Sequence, residues 1–168
     1  MKKVLVTGAS GFIGSTLIDR LLALGNYEVY AGVRAKSSRK YLQDSRIKFI
    51  DLALSDPTAL KQQLDREQFD CIFHFAGLTK AKRPEDFDKV NFGLTKNLAD
   101  AINPQTTKLI FLSSFAAHGP AEEVNFSKAK VSDENKPNRA YGRSKLKAEE
   151  YINANFKGKY VILRPTGV

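Results

Sequence analysis

A tyrosine and a lysine that could move a proton together stand four residues apart in "YGRSK", at Tyr141 and Lys145. Residues at positions i and i+4 of a helix share one face, so both side chains would point the same way. A tyrosine ordinarily titrates near about pH 10 and is a poor acid or base at neutral pH. A neighbouring ammonium stabilises the phenolate, so the pair suits acid–base chemistry.

A pair of serines, Ser113 and Ser114, follows the apolar run "KLIFL". If that run is a strand, both serines project toward the cleft at its carboxyl end. A serine hydroxyl can hydrogen-bond a substrate oxygen that alternates between alcohol and carbonyl. The serines and the Tyr141–Lys145 pair together indicate chemistry at such an oxygen.

A glycine-rich turn, "TGASGFIG" at residues 7–14, lies between the apolar run "KKVLV" and a helical apolar pattern. A strand–turn–helix context is what a dinucleotide-binding turn requires. Gly8 permits a tight turn, Gly11 lets the backbone approach a pyrophosphate, and Gly14 lets the helix pack on the strand. The N-terminus of the helix then offers free N–H groups to the phosphates.

The end of the second strand, "AGVRAKSSRK", favours NADP over NAD. NAD enzymes usually place an acidic residue there to hold the ribose hydroxyls, and this segment has none. Arg34, helped by Ser37, Ser38 or Arg39, could instead hold a 2′-phosphate. The alternative is that these residues are surface cations and their polar neighbours.

Strand-like and helical patterns alternate along the whole chain. The strands are predicted at "KVLVTG", "YEVYAGVR", "IKFIDL", "DCIFHFAG", "KLIFLSS" and "KYVILRP", and the main helices at 13–24, 55–68, 87–101 and 141–156. Asp56 is expected to cap the second helix, with Pro57 in its first turn. The pattern predicts an α/β fold with a Rossmann-like, doubly wound parallel sheet in strand order 3-2-1-4-5-6, in three α/β/α layers. The longest irregular stretch is about 119–138.

The composition indicates one globular domain of 168 residues with a single cysteine, Cys71. No apolar run approaches the ~20 residues of a membrane helix, and one cysteine excludes an intrachain disulfide, so we expect a cytoplasmic protein without membrane contact. Cys71 is expected to be a small buried residue of the fourth strand. The net charge of +9 could attract nucleic acid, but no recognition motif accompanies it, so we expect none to bind.

At this point the sequence resembles the extended branch of the short-chain dehydrogenase/reductase superfamily, the nucleotide-sugar epimerases and dehydratases. The matching segments are "TGASGFIG", "DL" at 51–52, "HFAG" at 74–77, "NFGLTKNL" at 91–98, "SS" at 113–114, "YGRSK", and "RPTGV" at 164–168. The resemblance extends over essentially the whole chain.

The resemblance implies roles for the reactive residues. Tyr141 would be the acid–base residue, Lys145 would hold the cofactor ribose and tune Tyr141, and Ser114 would orient the reacting hydroxyl or carbonyl. Asn91 resembles the family's structural asparagine, which supports the active-site helix or a water; alternatively it only hydrogen-bonds nearby backbone. Hydride would pass between the nicotinamide and a sugar carbon.

The resemblance also implies a set of cofactor contacts and no metal ligands. The cofactor-binding residues expected are Gly8, Ser10, Gly11, Phe12, Ile13, Gly14, Arg34, Asp51, Leu52, Phe75, Ala76, Gly77, Asn91, Lys145 and Pro165. Asp51 would contact adenine, although it could simply cap the loop that follows it. We expect His74 to be structural, while His118 stands where the family commonly has tyrosine.

Family members continue well beyond the segment that "RPTGV" resembles, into a smaller substrate-binding region. We therefore expect residues 1–168 to be an NAD(P)-binding Rossmann domain that has been truncated, with the substrate-binding region absent and the sixth strand left at an open edge. The resemblance also implies a possible homodimer through helices near 86–102 and 141–155.

Three functions are compatible with these residues. The first is an NAD(P)-dependent epimerase or dehydratase acting on a nucleotide-sugar, although "SSFAAHG" has no Asp-Glu pair of the kind dehydratases use. The second is an NADPH-dependent carbonyl reductase of the dihydroflavonol type, which Arg34 supports. The third is a non-catalytic NADP sensor, which has no need of Ser114, Tyr141 and Lys145 together.

Overall fold

The computed structural model describes residues 1–119 and 134–166, in which six parallel strands form one sheet. The strands are β1 (Lys2–Thr7), β2 (Tyr27–Gly32), β3 (Lys48–Ile50), β4 (Cys71–His74), β5 (Lys108–Leu112) and β6 (Tyr160–Leu163). Their order is β3-β2-β1-β4-β5-β6. This confirms the predicted Rossmann-like arrangement, in which the order reverses between β1 and β4 and ligands bind beside that reversal.

Helices connect the strands and end at recognisable signals. They are α1 (Phe12–Leu24), α2 (Pro57–Glu67), α3 (Pro84–Phe87), α4 (Thr95–Ala101) and α5 (Ala140–Asn155), with a short 3-10 helix at Phe115–Ala117. The Asp56 carboxylate caps α2 as predicted, since it accepts hydrogen bonds from the backbone N–H groups of Thr58 and Ala59. Gly25 ends α1 in the left-handed conformation, at φ 75°, as is common for a glycine after a helix.

The predicted single helix over 87–101 is interrupted by a π-helical turn. Residues Asp88–Leu94 form that turn between α3 and α4. A π-helix is wider than an α-helix and occurs frequently at functional sites. Asn91 lies in this turn and is almost fully buried, so the turn places a polar side chain inside the fold.

Two hydrophobic clusters cover the two faces of the sheet. Alternation along β1 sends Leu5 into one cluster, with residues of α2, α4 and α5. It sends Val4 and Val6 into the other cluster, with the apolar face of α1. The sheet therefore lies between helical layers. Cys71, predicted to be buried, is only partly buried and packs against the α1 side.

The strand β6 lies at one edge of the sheet within the described residues, as predicted. Its side chains Val161 and Leu163 are 52% and 42% exposed. Residues 120–133 of the predicted irregular stretch, and Gly167 and Val168 of "RPTGV", lie outside the described ranges.

Candidate active site

The glycine-rich turn after β1 leaves no room for a side chain at Gly8 or at Gly14. Gly8 has φ 67°, and a β-carbon added there would lie 2.7 Å from the carbonyl oxygen of Phe75. A β-carbon at Gly14 would lie 2.4 Å from the Gly8 oxygen, because α1 approaches the turn closely. Glycine alone tolerates both positions. The turn is therefore built for close backbone approach, which a pyrophosphate also needs.

The N-cap residue of α1 is Gly11, which has no side chain to cap the helix. The first N–H groups of a helix have no partners within it and bear a partial positive charge. No acidic residue stands in the first turn. The end of the helix therefore suits an anion such as a phosphate.

A cleft of about 730 Å³ lies along the carboxyl ends of the strands. Its lining includes Gly8, Ser10, Gly11, Phe12, Ile13, Gly14, Arg34, Asp51, Leu52, Phe75, Ala76, Gly77, Ser114, Tyr141, Lys145 and Pro165. These are all of the predicted site residues except one, since Asn91 does not line the cleft. Ser37 and Ser113, which the sequence also pointed to, line it as well. The sequence analysis did not single out nine other lining residues: Thr7, Gly32, Val33, Leu54, Leu78, Thr79, Val90, Leu94 and Leu112.

Lys145 is buried at the floor of the cleft. Its Nζ donates to the carbonyl oxygen of Leu112, at 2.6 Å, and lies 4.4 Å from the centroid of the Phe111 ring. Burial lowers the pKa of this ammonium to about 8, partly offset by the charge of Glu149. Tyr141 precedes Lys145 by four residues on α5, and its ring packs edge-on against Phe87, at 5.9 Å between centroids.

The two serines after β5 have different surroundings. Ser114 caps the short 3-10 helix, and its Oγ accepts from the N–H of Ala116 at 3.2 Å. Ser113 is buried and its hydroxyl donates to the Glu149 carboxylate. The hydroxyl of Ser113 is therefore engaged with Glu149, whereas that of Ser114 accepts from backbone; both residues line the cleft.

A buried ion pair between Glu149 and Arg164 lies beside the serines, and the sequence analysis missed it. Arg164 Nη2 and Nε donate to the Glu149 carboxylate at 2.5 and 3.0 Å, and Arg164 Nη1 donates to Asn135 Oδ1 at 2.9 Å. The hydrogen bonds to Glu149 raise the pKa of the Arg164 guanidinium. Glu149 lies one helical turn after Lys145, so an acidic residue at that spacing was a signal for it.

The predicted nucleotide-selecting segment bends next to the cleft. The N–H of Ser37 donates to the carbonyl oxygen of Arg34 at 2.9 Å, and both residues line the cleft. The Asp51 carboxylate accepts from the N–H of Ala35 at 3.2 Å, so it holds this bend from the neighbouring strand. Arg39 instead lies over the Phe49 ring, 4.2 Å from its centroid, and does not line the cleft.

The two histidines lie outside the cleft. His74 is buried between Thr7 and Thr95 and hydrogen-bonds both. His118 stacks on Phe115, with ring centroids 5.2 Å apart, and its buried Nε2 makes no hydrogen bond in the described part of the chain.

Two further features bear on the kind of site this is. Across residues 1–119 and 134–166, no helix is both long and apolar enough to cross a membrane. Within the same ranges, no three His, Cys, Asp or Glu side chains are grouped to hold a metal ion.

Known proteins with similar sequences match this chain over most of its length. A UDP-glucose 4-epimerase of Lacticaseibacillus casei is 30% identical over 169 residues, covering 96% of this chain and 50% of that protein. A dTDP-6-deoxy-L-talose 4-dehydrogenase (NAD(P)(+)) of Kitasatospora kifunensis is 33% identical over 152 residues, covering 89% of this chain and 46% of that protein. The chain spans about half the length of the curated relatives it matches.

Among solved structures, the UDP-glucuronic acid 4-epimerase from Bacillus cereus, in complex with NAD, superposes with a TM-score of 0.79. It is 28% identical, and the match covers 98% of this chain and 56% of that one. The family described as NAD dependent epimerase/dehydratase matches residues 4–168. The resemblance inferred from the motifs is thus confirmed: the chain belongs to the NAD dependent epimerase/dehydratase family.

Proposed function

We propose that this chain is the dinucleotide-binding part of a longer enzyme that interconverts an alcohol and a carbonyl on a nucleotide-sugar. The observation that supports this most is the shared cleft. The glycine-rich turn and the Ser114, Tyr141 and Lys145 side chains all line one cavity. A dinucleotide bound at the turn would extend toward the three reactive side chains. The span of about half of the relatives' length supports the assignment to part of a longer protein.

The residues of the cleft fit a nicotinamide dinucleotide. The close-packed glycine-rich turn and the N-terminus of α1, whose N-cap is a glycine, would hold the pyrophosphate. Leu52 and Asp51 would lie at the adenosine end, and Pro165 beside Ser114 at the other end. When bound, the dinucleotide would supply the hydride acceptor or donor.

Each reactive side chain has a distinct proposed role. Tyr141 would take the proton of the substrate hydroxyl as hydride leaves, and return it as hydride comes back. Lys145 would stabilise the phenolate and hold the ribose. Ser114 would hydrogen-bond the reacting oxygen and orient it. Asn91 would act indirectly, by supporting Gly77 in the wall of the cleft. The two are close: a β-carbon at Gly77 would lie 3.0 Å from Asn91 Oδ1 and 3.9 Å from Lys145 Nζ.

We further propose that NADP is preferred over NAD. Arg34 and Ser37 line the cleft just beyond the end of β2. The Asp51 carboxylate also lines the cleft nearby, and it accepts a hydrogen bond from the backbone N–H of Ala35. A guanidinium there favours a 2′-phosphate, which a carboxylate would repel. The Bacillus cereus structure holds NAD, so the comparison of both dinucleotides on this chain decides the preference.

The second candidate function is an NADPH-dependent carbonyl reductase, which the position of Arg34 favours. The two reactions differ in whether they consume the reduced cofactor. An epimerase returns its hydride to the substrate and shows no net consumption of NADPH, whereas a reductase oxidises one NADPH for each carbonyl reduced. Absorbance at the reduced nicotinamide band during turnover separates them.

The assignment of Tyr141 is tested by Tyr141→Phe in the longer enzyme. We expect turnover to be abolished while dinucleotide affinity is retained. Tyr151→Phe is the matched control, because Tyr151 lies on the same helix and its hydroxyl donates to Asp100 instead. Turnover that survives Tyr141→Phe would end the assignment of Tyr141 as the acid–base residue.

A further inference from the structure

A series of hydrogen-bonded polar side chains runs beneath the cleft, starting at Thr7, the residue before the glycine-rich turn. Thr7 Oγ1 lies 2.8 Å from His74 Nδ1 and accepts from the N–H groups of Phe75 and Ala76, each at 3.2 Å. Phe75 and Ala76 line the cleft, whereas His74 does not. Thr7 therefore links the buried imidazole to backbone that faces the proposed dinucleotide.

The direction of each hydrogen bond at His74 follows from its partners. Thr95 Oγ1 donates its proton to the carbonyl oxygen of Asn91 at 2.6 Å, so it must accept from His74 Nε2, which lies 2.9 Å away. Complete burial, together with the nearby Lys145 charge, lowers the pKa of His74 to about 3, so the ring is neutral. Its Nδ1 is then an acceptor, and the Thr7 hydroxyl donates to it.

The series continues from Asn91 to the first turn of α5. Asn91 Oδ1 accepts from the N–H of Leu78 at 2.7 Å, and its Nδ2 donates to the Leu78 oxygen and to Ser144 Oγ at 3.0 and 3.1 Å. Ser144 donates to the carbonyl oxygen of Tyr141 at 2.7 Å. The donors and acceptors of these side chains thus follow one consistent order, and the series joins five elements: β1, β4, the π-helical turn, α4 and α5.

We propose that His74 is a positioning residue, which with Thr7 and Thr95 keeps the cleft-lining backbone after β4 in register with Tyr141. This inference rests on the proposed function of the cleft. An imidazole is the side chain that can both accept at one ring nitrogen and donate at the other while uncharged. The fixed order of donors and acceptors makes the arrangement cooperative. Loss of one link therefore displaces both ends.

The first test measures the imidazole itself by nitrogen-detected NMR of the whole chain. We expect a single neutral tautomer with the proton on Nε2, unchanged between pH 5 and 9. A proton on Nδ1, an exchanging mixture or a charged ring would overturn the inference, because each breaks the order of donors.

The second test uses a matched pair of buried threonines. Thr95→Val removes the acceptor of His74 with little change in volume. Thr107→Val is the control, because Thr107 is also buried and donates to a backbone carbonyl, that of Phe69, at 2.6 Å before β5. Thr95→Val removes two side-chain hydrogen bonds and Thr107→Val removes one, so both variants should lose stability and Thr95→Val should lose more.

We expect Thr95→Val to weaken NADP and NAD binding alike, by about threefold to tenfold, and Thr107→Val by less than about twofold. Thr95→Val should also shift the Tyr141 ring resonance in the free chain, whereas Thr107→Val should not. If Thr95→Val binds both dinucleotides as tightly as the unsubstituted chain, and its Tyr141 ring resonance does not move, the inference is overturned. If the unsubstituted chain binds neither dinucleotide, the proposed function fails, and the Tyr141 signal and the His74 tautomer still decide the positioning role.

Discussion

The ammonium of Lys145 lies 2.6 Å from the carbonyl oxygen of Leu112, at the carboxyl end of β5. This contact ties the helix α5 to the strand that precedes Ser114. It also holds a positive charge within the floor of the cleft, one helical turn after Tyr141. A buried charge with a carbonyl as its partner costs stability, and such costs are typical of sites that perform chemistry.

Replacing Lys145 should stabilise the fold while damaging the site. Because burial lowers the pKa of Lys145 from 10.5 to about 8, Lys145→Met should raise the free energy of unfolding at pH 7 by roughly 1–3 kcal/mol. Between pH 8 and 10.5 the unfolded parent binds more protons than the folded parent, so the free energy of unfolding of the parent rises with pH. The stability difference between Lys145→Met and the parent therefore shrinks as pH rises. Denaturant unfolding across that range measures the difference.

The control for that experiment is Lys147→Met. Lys147 is exposed on the same helix and pairs with Asp88, so its loss should change stability by less than about 1 kcal/mol. A Lys145→Met variant that is less stable than the parent at pH 7 would contradict the account of the buried charge.

The Glu149–Arg164 pair should contribute to the stability of the site. Glu149→Gln leaves the guanidinium without a charged partner and weakens the acceptor of Ser113, so we expect a loss of about 2–3 kcal/mol. This loss of stability is smaller than the loss expected for a fully buried ion pair, because the Arg164 side chain is 25% exposed. Glu150→Gln, at the exposed neighbouring position, should have almost no effect, and thermal unfolding compares the two.

The turn before α1 should not tolerate a methyl group. Gly14→Ala would place a β-carbon 2.4 Å from the Gly8 oxygen, so the turn must open and dinucleotide affinity should fall at least about tenfold. Gly25→Ala is the control: Gly25 has a positive φ, unlike Gly14, and its β-carbon would meet open space. It should cost about 1 kcal/mol of stability and leave affinity unchanged, as calorimetric titration would show.

The strands and the glycine-rich turn could be predicted from sequence because their signals are local. The turn "TGASGFIG" lies within eight residues, and each strand is a short apolar run. The sheet order then followed from the alternation of strands and helices. Tyr141 and Lys145 were likewise predicted from the spacing of one helix.

The features that sequence did not predict depend on contacts between distant segments. Arg164 meets Glu149 through the pairing of β6 with β5, and Ser113 joins them from the end of β5. The π-helical turn at Asp88–Leu94 leaves the apolar spacing around it nearly unchanged, so the pattern of a plain helix masked it. The resemblance placed Asn91 among the cofactor contacts; in the structure it contacts Gly77 from beneath and does not line the cleft.

The proposed NADP preference depends on Arg34. Arg34→Ala should weaken NADP binding by about tenfold or more, the effect of losing a charge-assisted hydrogen bond, and leave NAD binding almost unchanged. Lys36→Ala is the control, because Lys36 is a neighbouring exposed cation that does not line the cleft. An NADP preference that survives Arg34→Ala, or that falls equally with Lys36→Ala, would show that general surface charge is responsible.

The most direct test of the central claim is a titration of this chain with NADP and with NAD, followed by the backbone amide resonances. We expect saturable binding of at least one dinucleotide, with the largest shifts at Gly8–Gly14, at Phe75–Gly77 and at Ser114, Tyr141 and Lys145. Absence of saturable binding by both dinucleotides, or shifts confined to residues outside the cleft, would contradict the account.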